Sequence, residues 1–118
     1  MSAVKWINNL AGVLYYLNTP LLDFEIRERR LVRAENLSEG KLFPPELALY
    51  GVTYGNVNEF FARRTVQEGC MFYREHLRNL GLDHFDFDQY IRILNGNNHL
   101  DNYWVKFADG GAQCFEEL

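Results

Sequence analysis

Arg74 and Arg78 stand one turn apart in a stretch of helical spacing, so their guanidinium groups share a face and can grip carboxylates or phosphates in bidentate pairs. Arg63 and Arg64 close an aromatic stretch that begins Phe60-Phe61, and Arg27, Arg29, Arg30 and Arg33 crowd a turn in the first third of the chain. Nine of the twelve basic residues are arginine, a bias that favours planar, directional contacts over general solubility. Glu28, Glu35, Glu68 and Glu75 are interleaved with them. Exposed ion pairs worth about 0–1 kcal/mol each therefore compete with any grip on a ligand.

Tyr103-Trp104 is the second signal, two large aromatics between the loop Asn97-Asn98-His99 and the β-like run Val105-Lys106-Phe107. Such residues bring wide contact area at low entropic cost, which suits a binding hot spot. In a small domain they serve equally as a core plug that docks the late segment on the helices, and the apolar neighbours Leu100, Val105 and Phe107 favour the plug. The candidate binding residues are thus Tyr103, Trp104, Arg63, Arg64, Arg74 and Arg78.

Other chemistry is thin. Cys70, His76 and His84 match no zinc spacing, and Cys70 falls on an apolar helical stripe where a thiol is inert. Gly51, Gly55 and Gly69 lack the strand-to-helix setting of a phosphate cradle. Asp83, Asp86, Asp88 and Asp101 can present a negative face, although capping explains Asp86 better. No catalytic residue, metal site or cofactor is expected.

The elements that position these groups follow from periodicity. Two β-prone runs flank Asn18-Thr19-Pro20, and in the second Leu22, Phe24 and Ile26 alternate with Asp23 and Glu25, the period of a half-buried antiparallel strand. Residues 31–37 can return as a third strand. A short helical piece runs from Pro44-Pro45 to Gly51. A helix is expected over 56–64, with Asn56 as cap, Glu59 completing a capping box, and Val57, Phe60 and Phe61 on one face. Another is expected over 70–80, with Cys70, Tyr73, Leu77 and Leu80 in line and Gly81 as the left-handed stop. The last opens at Asp86, with Phe85 stapled to Tyr90 and Phe87, Tyr90, Ile91 and Leu94 buried, and stops at Asn95-Gly96. The expectation is an α+β fold in which an N-terminal antiparallel β-meander of two to three strands packs against about three helices. It reads as one domain over 1–118, with the meander in 12–37, the helical part in 56–94 and a closing aromatic segment and tail in 99–118.

With 47% hydrophobic and 15% aromatic residues, the chain is far from a disordered composition. A net charge of −4 disfavours nucleic acid and anionic membranes as partners. Two cysteines are too few for a disulfide scaffold, and no leader or membrane-length run is present, so a cytoplasmic protein is expected.

Four stretches together resemble a small family of bacterial domains associated with HipA-like kinases in low-GC Gram-positive bacteria: residues 14–24 around Asn18-Thr19-Pro20-Leu21-Leu22-Asp23-Phe24, Asn58-Glu59-Phe60-Phe61-Ala62-Arg63-Arg64, residues 74–82, and Leu100-Asp101-Asn102-Tyr103-Trp104-Val105. The linker Thr65-Val66-Gln67-Glu68-Gly69 has no proline where the family pattern carries one, and the 118 residues hold no kinase-like region. The resemblance implies a non-enzymatic regulatory or protein-interaction module in a toxin–antitoxin or mobile-element setting, with a kinase-like or host defence protein as partner. Two alternatives remain open: a phage-encoded inhibitor of a bacterial defence nuclease that acts by direct binding, and a DNA-binding regulator using residues 56–80 as a helix-turn-helix.

Overall fold

In the computed structural model, residues 5–65 and 71–118 are described. Strands β1 (Asn9–Tyr16), β2 (Thr19–Arg27) and β3 (Arg30–Asn36) form the expected antiparallel meander, and β4 (Tyr103–Lys106) adds to the open edge of β1. The sheet has four strands in the order β3-β2-β1-β4, so the closing aromatic segment is itself part of the sheet. Helices α1 (Pro45–Tyr50), α2 (Tyr54–Arg63), α3 (Tyr73–Asn79) and α4 (Phe87–Ile93) complete an α+β fold, and a single 3₁₀ turn, Phe115–Glu117, ends it. No helix of the described residues is long and apolar enough to cross a membrane.

Alternation decides what the sheet buries. Leu10 and Leu14 of β1, Leu22, Phe24 and Ile26 of β2 and Val105 of β4 meet Val57, Phe60 and Phe61 of α2 and Phe87 and Ile91 of α4 in one cluster. Each such side chain contributes about 1.5–3 kcal/mol on leaving water. Gly12 makes the β1–β4 contact possible, because a Cβ there would lie 2.6 Å from Val105 Cγ1. The turn after β1 is Leu17-Asn18, tighter than the Asn18-Thr19-Pro20 cluster suggests, and Leu17 takes the left-handed φ of 54°. A register shift between Leu14 and Tyr15 leaves Leu21 as an extra residue, which lets both Leu21 and Leu22 be buried.

Glu28 (φ 50°) and Arg29 (φ 60°) form the β2–β3 turn in left-handed conformations that cost about 1–2 kcal/mol each for such residues. Asn8 and Asn9 offset this cost. Glu28 N–H donates to Asn9 Oδ1 at 3.2 Å, and Arg29 donates from Nε to Asn8 Oδ1 at 2.8 Å and from its backbone to Asn8 O at 3.1 Å.

The helix signals hold where they are local. Asp86 caps α4 by accepting from Gln89 N–H at 3.2 Å, and the Phe85 and Tyr90 rings stand 5.8 Å apart as the expected staple. Gly81 (φ 80°) follows α3, with Leu82 N–H donating to Leu77 O at 2.9 Å and Gly81 N–H to Arg78 O at 2.9 Å. One cap differs. Thr53, not Asn56, opens α2, accepting from Asn56 N–H at 3.1 Å. Asn56 turns its amide the other way and donates to Tyr50 O and Gly51 O, satisfying carbonyls at the end of α1. The helix expected over 70–80 is shorter, Tyr73–Asn79, and Cys70 lies outside the described residues.

Candidate functional site

The aromatic pair is structural. Trp104 is 0% exposed, its ring 4.9 Å from that of Tyr15 and its indole N–H donating to Leu17 O. It alternates with Val105 and so lies on the sheet face away from the main cluster. There the C-terminal tail returns to the same turn: Phe115 N–H donates to Asn18 Oδ1 at 3.0 Å and Asn18 Nδ2 donates to Glu116 Oε1 at 2.9 Å. Tyr103, half-buried, packs edge-on against Tyr16 (5.1 Å) and Phe60 (5.7 Å) and donates its hydroxyl to Leu42 O at 2.8 Å. Burial, reinforced by the Asp101 carboxylate, holds the Tyr103 phenol above its ordinary value. The hot-spot expectation for these two residues therefore gives way to the plug.

Arg64 is corrected in the same way. Its side chain is 9% exposed and forms an ion pair with Asp101, while Nη2 donates to Gly96 O and Tyr103 O, both at 3.1 Å. The guanidinium carbon sits 4.6 Å from the Phe60 ring centre and 5.9 Å from that of Tyr103. One side chain thus ties the end of α2 to the loop after α4 and to β4. Arg63 is exposed but engaged, with Glu59 at 3.0 Å and Glu46 at 3.8 Å.

Three of the four arginines of the β-turn are also taken up, and Arg30 is exposed. Arg33 pairs with Asp23 at 2.6 Å and Arg27 with Glu25 at 2.6 Å, while Arg29 holds Asn8. The acidic candidates disperse among structural tasks. Asp86 caps α4, Asp88 accepts from Asn8 and Asn9 N–H at 3.0 and 3.1 Å, and Asp101 holds Arg64. Among the described residues no group of three or more His, Cys, Asp and Glu side chains is placed to hold a metal ion. His76 instead makes a 3.0 Å hydrogen bond with the Tyr90 hydroxyl.

Arg74 and Arg78 are different. Both are exposed on α3, and neither takes part in an ion pair or a side-chain hydrogen bond among the described residues. They line a groove of about 500 Å³ whose other walls include Leu77, Leu82, Asp83 and Phe85. Gly81 creates it, because the left-handed stop turns residues 82–85 back alongside the helix. A small aromatic cluster anchors that wall: Phe85 lies 6.5 Å from Tyr73, 6.0 Å from Phe87 and 5.8 Å from Tyr90. Met71 (86% exposed) and Phe72 (60% exposed) stand at the start of α3, adding apolar surface beside the two charges. Of the six candidate residues, the structure brings together Arg74 and Arg78 in an open site and sends Tyr103, Trp104 and Arg64 into the framework. The apolar walls have no local signature in the sequence beyond Gly81 between Leu80 and Leu82, which marks where the chain reverses.

No protein-family model matches the chain, and no curated protein or solved structure is significantly similar to it. The geometry of the α3 groove is therefore the basis for a functional reading.

Proposed function

We propose that the chain is a non-enzymatic recognition module that docks a regulatory protein partner on the α3 face. The observation that carries this reading is the Arg74–Arg78 pair, exposed and without a side-chain partner among the described residues, on the wall of a groove that also offers Leu77, Leu82 and Phe85. Charge with adjoining apolar area is the combination from which protein hot spots are built. The net charge of −4 and the Asp83 carboxylate in the groove argue against a continuous phosphate backbone as occupant.

The motif resemblance to HipA-associated domains supplies the partner class to try first, a HipA-like kinase. Arg64, Tyr103 and Trp104 within those motifs serve the framework, so kinship through them concerns the scaffold, and α3 is left to carry recognition. The test mixes the purified chain with a HipA-like kinase, and with proteins captured from the source host, and measures complex formation by size exclusion with light scattering. A stoichiometric complex that is lost in the Arg74→Glu/Arg78→Glu double variant, whose melting temperature matches the wild type, supports the reading. A complex that survives the double substitution overturns it.

A further inference from the structure

We infer that the α3 groove binds an extended acidic peptide segment carrying two carboxylates two residues apart and an apolar residue beside them. This inference rests on the reading of α3 as the recognition face and specifies what that face takes.

The spacing comes first. Residues at i and i+4 of a helix have Cβ atoms about 5–6 Å apart, and Arg74 and Arg78 hold those positions in α3. In an extended chain, side chains two residues apart fall on one face with a separation of about 6.7 Å. Two carboxylates in that arrangement meet both guanidinium forks at once, each as a charge-assisted bidentate pair.

The walls then limit what else fits. Leu77 is buried at its base, while Leu82 and Phe85 are half-buried and offer an apolar surface within the same groove. Asp83 stands in that wall as a fixed negative charge. It repels a third carboxylate and accepts a backbone N–H or a basic side chain, so the acidic and apolar parts of the ligand have a set order. Nucleic acid carries phosphate at every step and brings negative charge against Asp83 whichever way it lies. A peptide can place its charges only where the arginines are. Among the described residues neither arginine has a side-chain partner to leave, so no ion pair between described residues is broken on association.

The test uses the full chain and a short fluorescent peptide with two aspartates two residues apart followed by a leucine, read by anisotropy. Saturable binding is expected, weakened about tenfold by Arg74→Ala and about tenfold by Arg78→Ala. It should be abolished when both aspartates become asparagine and reduced when the leucine becomes serine. The Arg74→Glu/Arg78→Glu variant should instead prefer the matching lysine peptide. Absence of saturation up to about 1 mM peptide, indifference to both arginines, or tighter and equally arginine-dependent binding of duplex DNA or of a phosphoserine peptide each overturns the inference. Failure of the peptide while the partner complex is still lost in the double variant rejects this ligand class alone. Retention of the partner complex in that variant rejects the recognition face itself.

Discussion

Arg64→Ala tests the framework role of Arg64, and its cost can be worked from the contacts. The substitution removes the one hydrogen bond that Gly96 O accepts among the described residues, leaving a carbonyl in a buried residue without a partner there, at about 1–3 kcal/mol. Tyr103 O is spared, because Asn97 Nδ2 still donates to it at 2.8 Å. Loss of the guanidinium from the Phe60 face adds about 0.5–2 kcal/mol. The ion pair with Asp101, whose side chain is 39% exposed, adds about 0–1 kcal/mol after screening by solvent. The sum is about 3 kcal/mol. For a chain of 118 residues this lowers the melting temperature by about 10–15 °C. Urea titration followed by circular dichroism measures it. Arg64→Lys should recover little, since an ammonium cannot span three acceptors while stacking on a ring. Arg74→Ala and Arg78→Ala, made in parallel, should stay within about 0.5 kcal/mol of wild type. An Arg64→Ala protein as stable as wild type refutes the framework assignment.

Trp104→Ala should cost about 3–5 kcal/mol, measured by chemical denaturation, because a fully buried ring is replaced by a cavity beside Tyr15. Asn58→Ala should cost about 2–4 kcal/mol, since the buried amide accepts from Ile7 N–H at 2.8 Å and donates to Lys5 O at 2.9 Å; loss of amide-exchange protection at Ile7 would locate the damage. Gly96→Ala should destabilise by about 2 kcal/mol or more, because φ is +64° and the new Cβ would lie 2.8 Å from Val105 Cγ2; an unchanged thermal midpoint would contradict this. Glu116 is held below its ordinary value of 4.5 by its own backbone N–H and then by Asn18. A depressed carboxyl contributes stability that is present above the unfolded value and lost as the pH falls through the folded one. The Asn18–Glu116 latch should therefore loosen below pH 4.5, visible as a shift of the Asn18 side-chain amide in NMR.

What was legible in the sequence was local. The β2 alternation, the Asp86 cap, the Phe85–Tyr90 staple and the Gly81 stop each involve residues within about one turn or one strand of each other, where geometry is nearly fixed by residue type. Arg64 was misread because its acceptors at positions 96, 101 and 103 are 32, 37 and 39 residues away, and nothing in the arginine's neighbourhood announces them. Asn56 was misplaced by one helix turn because Thr53 competes for the same role and wins, its hydroxyl accepting from Asn56 N–H. For the site, the charged half could be seen in the i,i+4 spacing of Arg74 and Arg78. The apolar half depends on how the chain doubles back after Gly81, a tertiary result of a single left-handed residue.

The position of β4 beside β1 sets a schedule for synthesis. β1 is an inner strand whose second neighbour is encoded 87 residues after its own last residue, Tyr16. At ribosomal rates of about 5–20 residues per second, the nascent hairpin waits about 4–17 s with one edge of β1 unsatisfied. During that interval Val13, Leu14, Tyr15 and Tyr16 lie along an open edge with no charge to repel a neighbouring chain. A ribosome stalled before residue 103 therefore releases a species primed for strand exchange, and yield in the cell should depend on translation speed through the last third of the message more than on the stability of the finished fold.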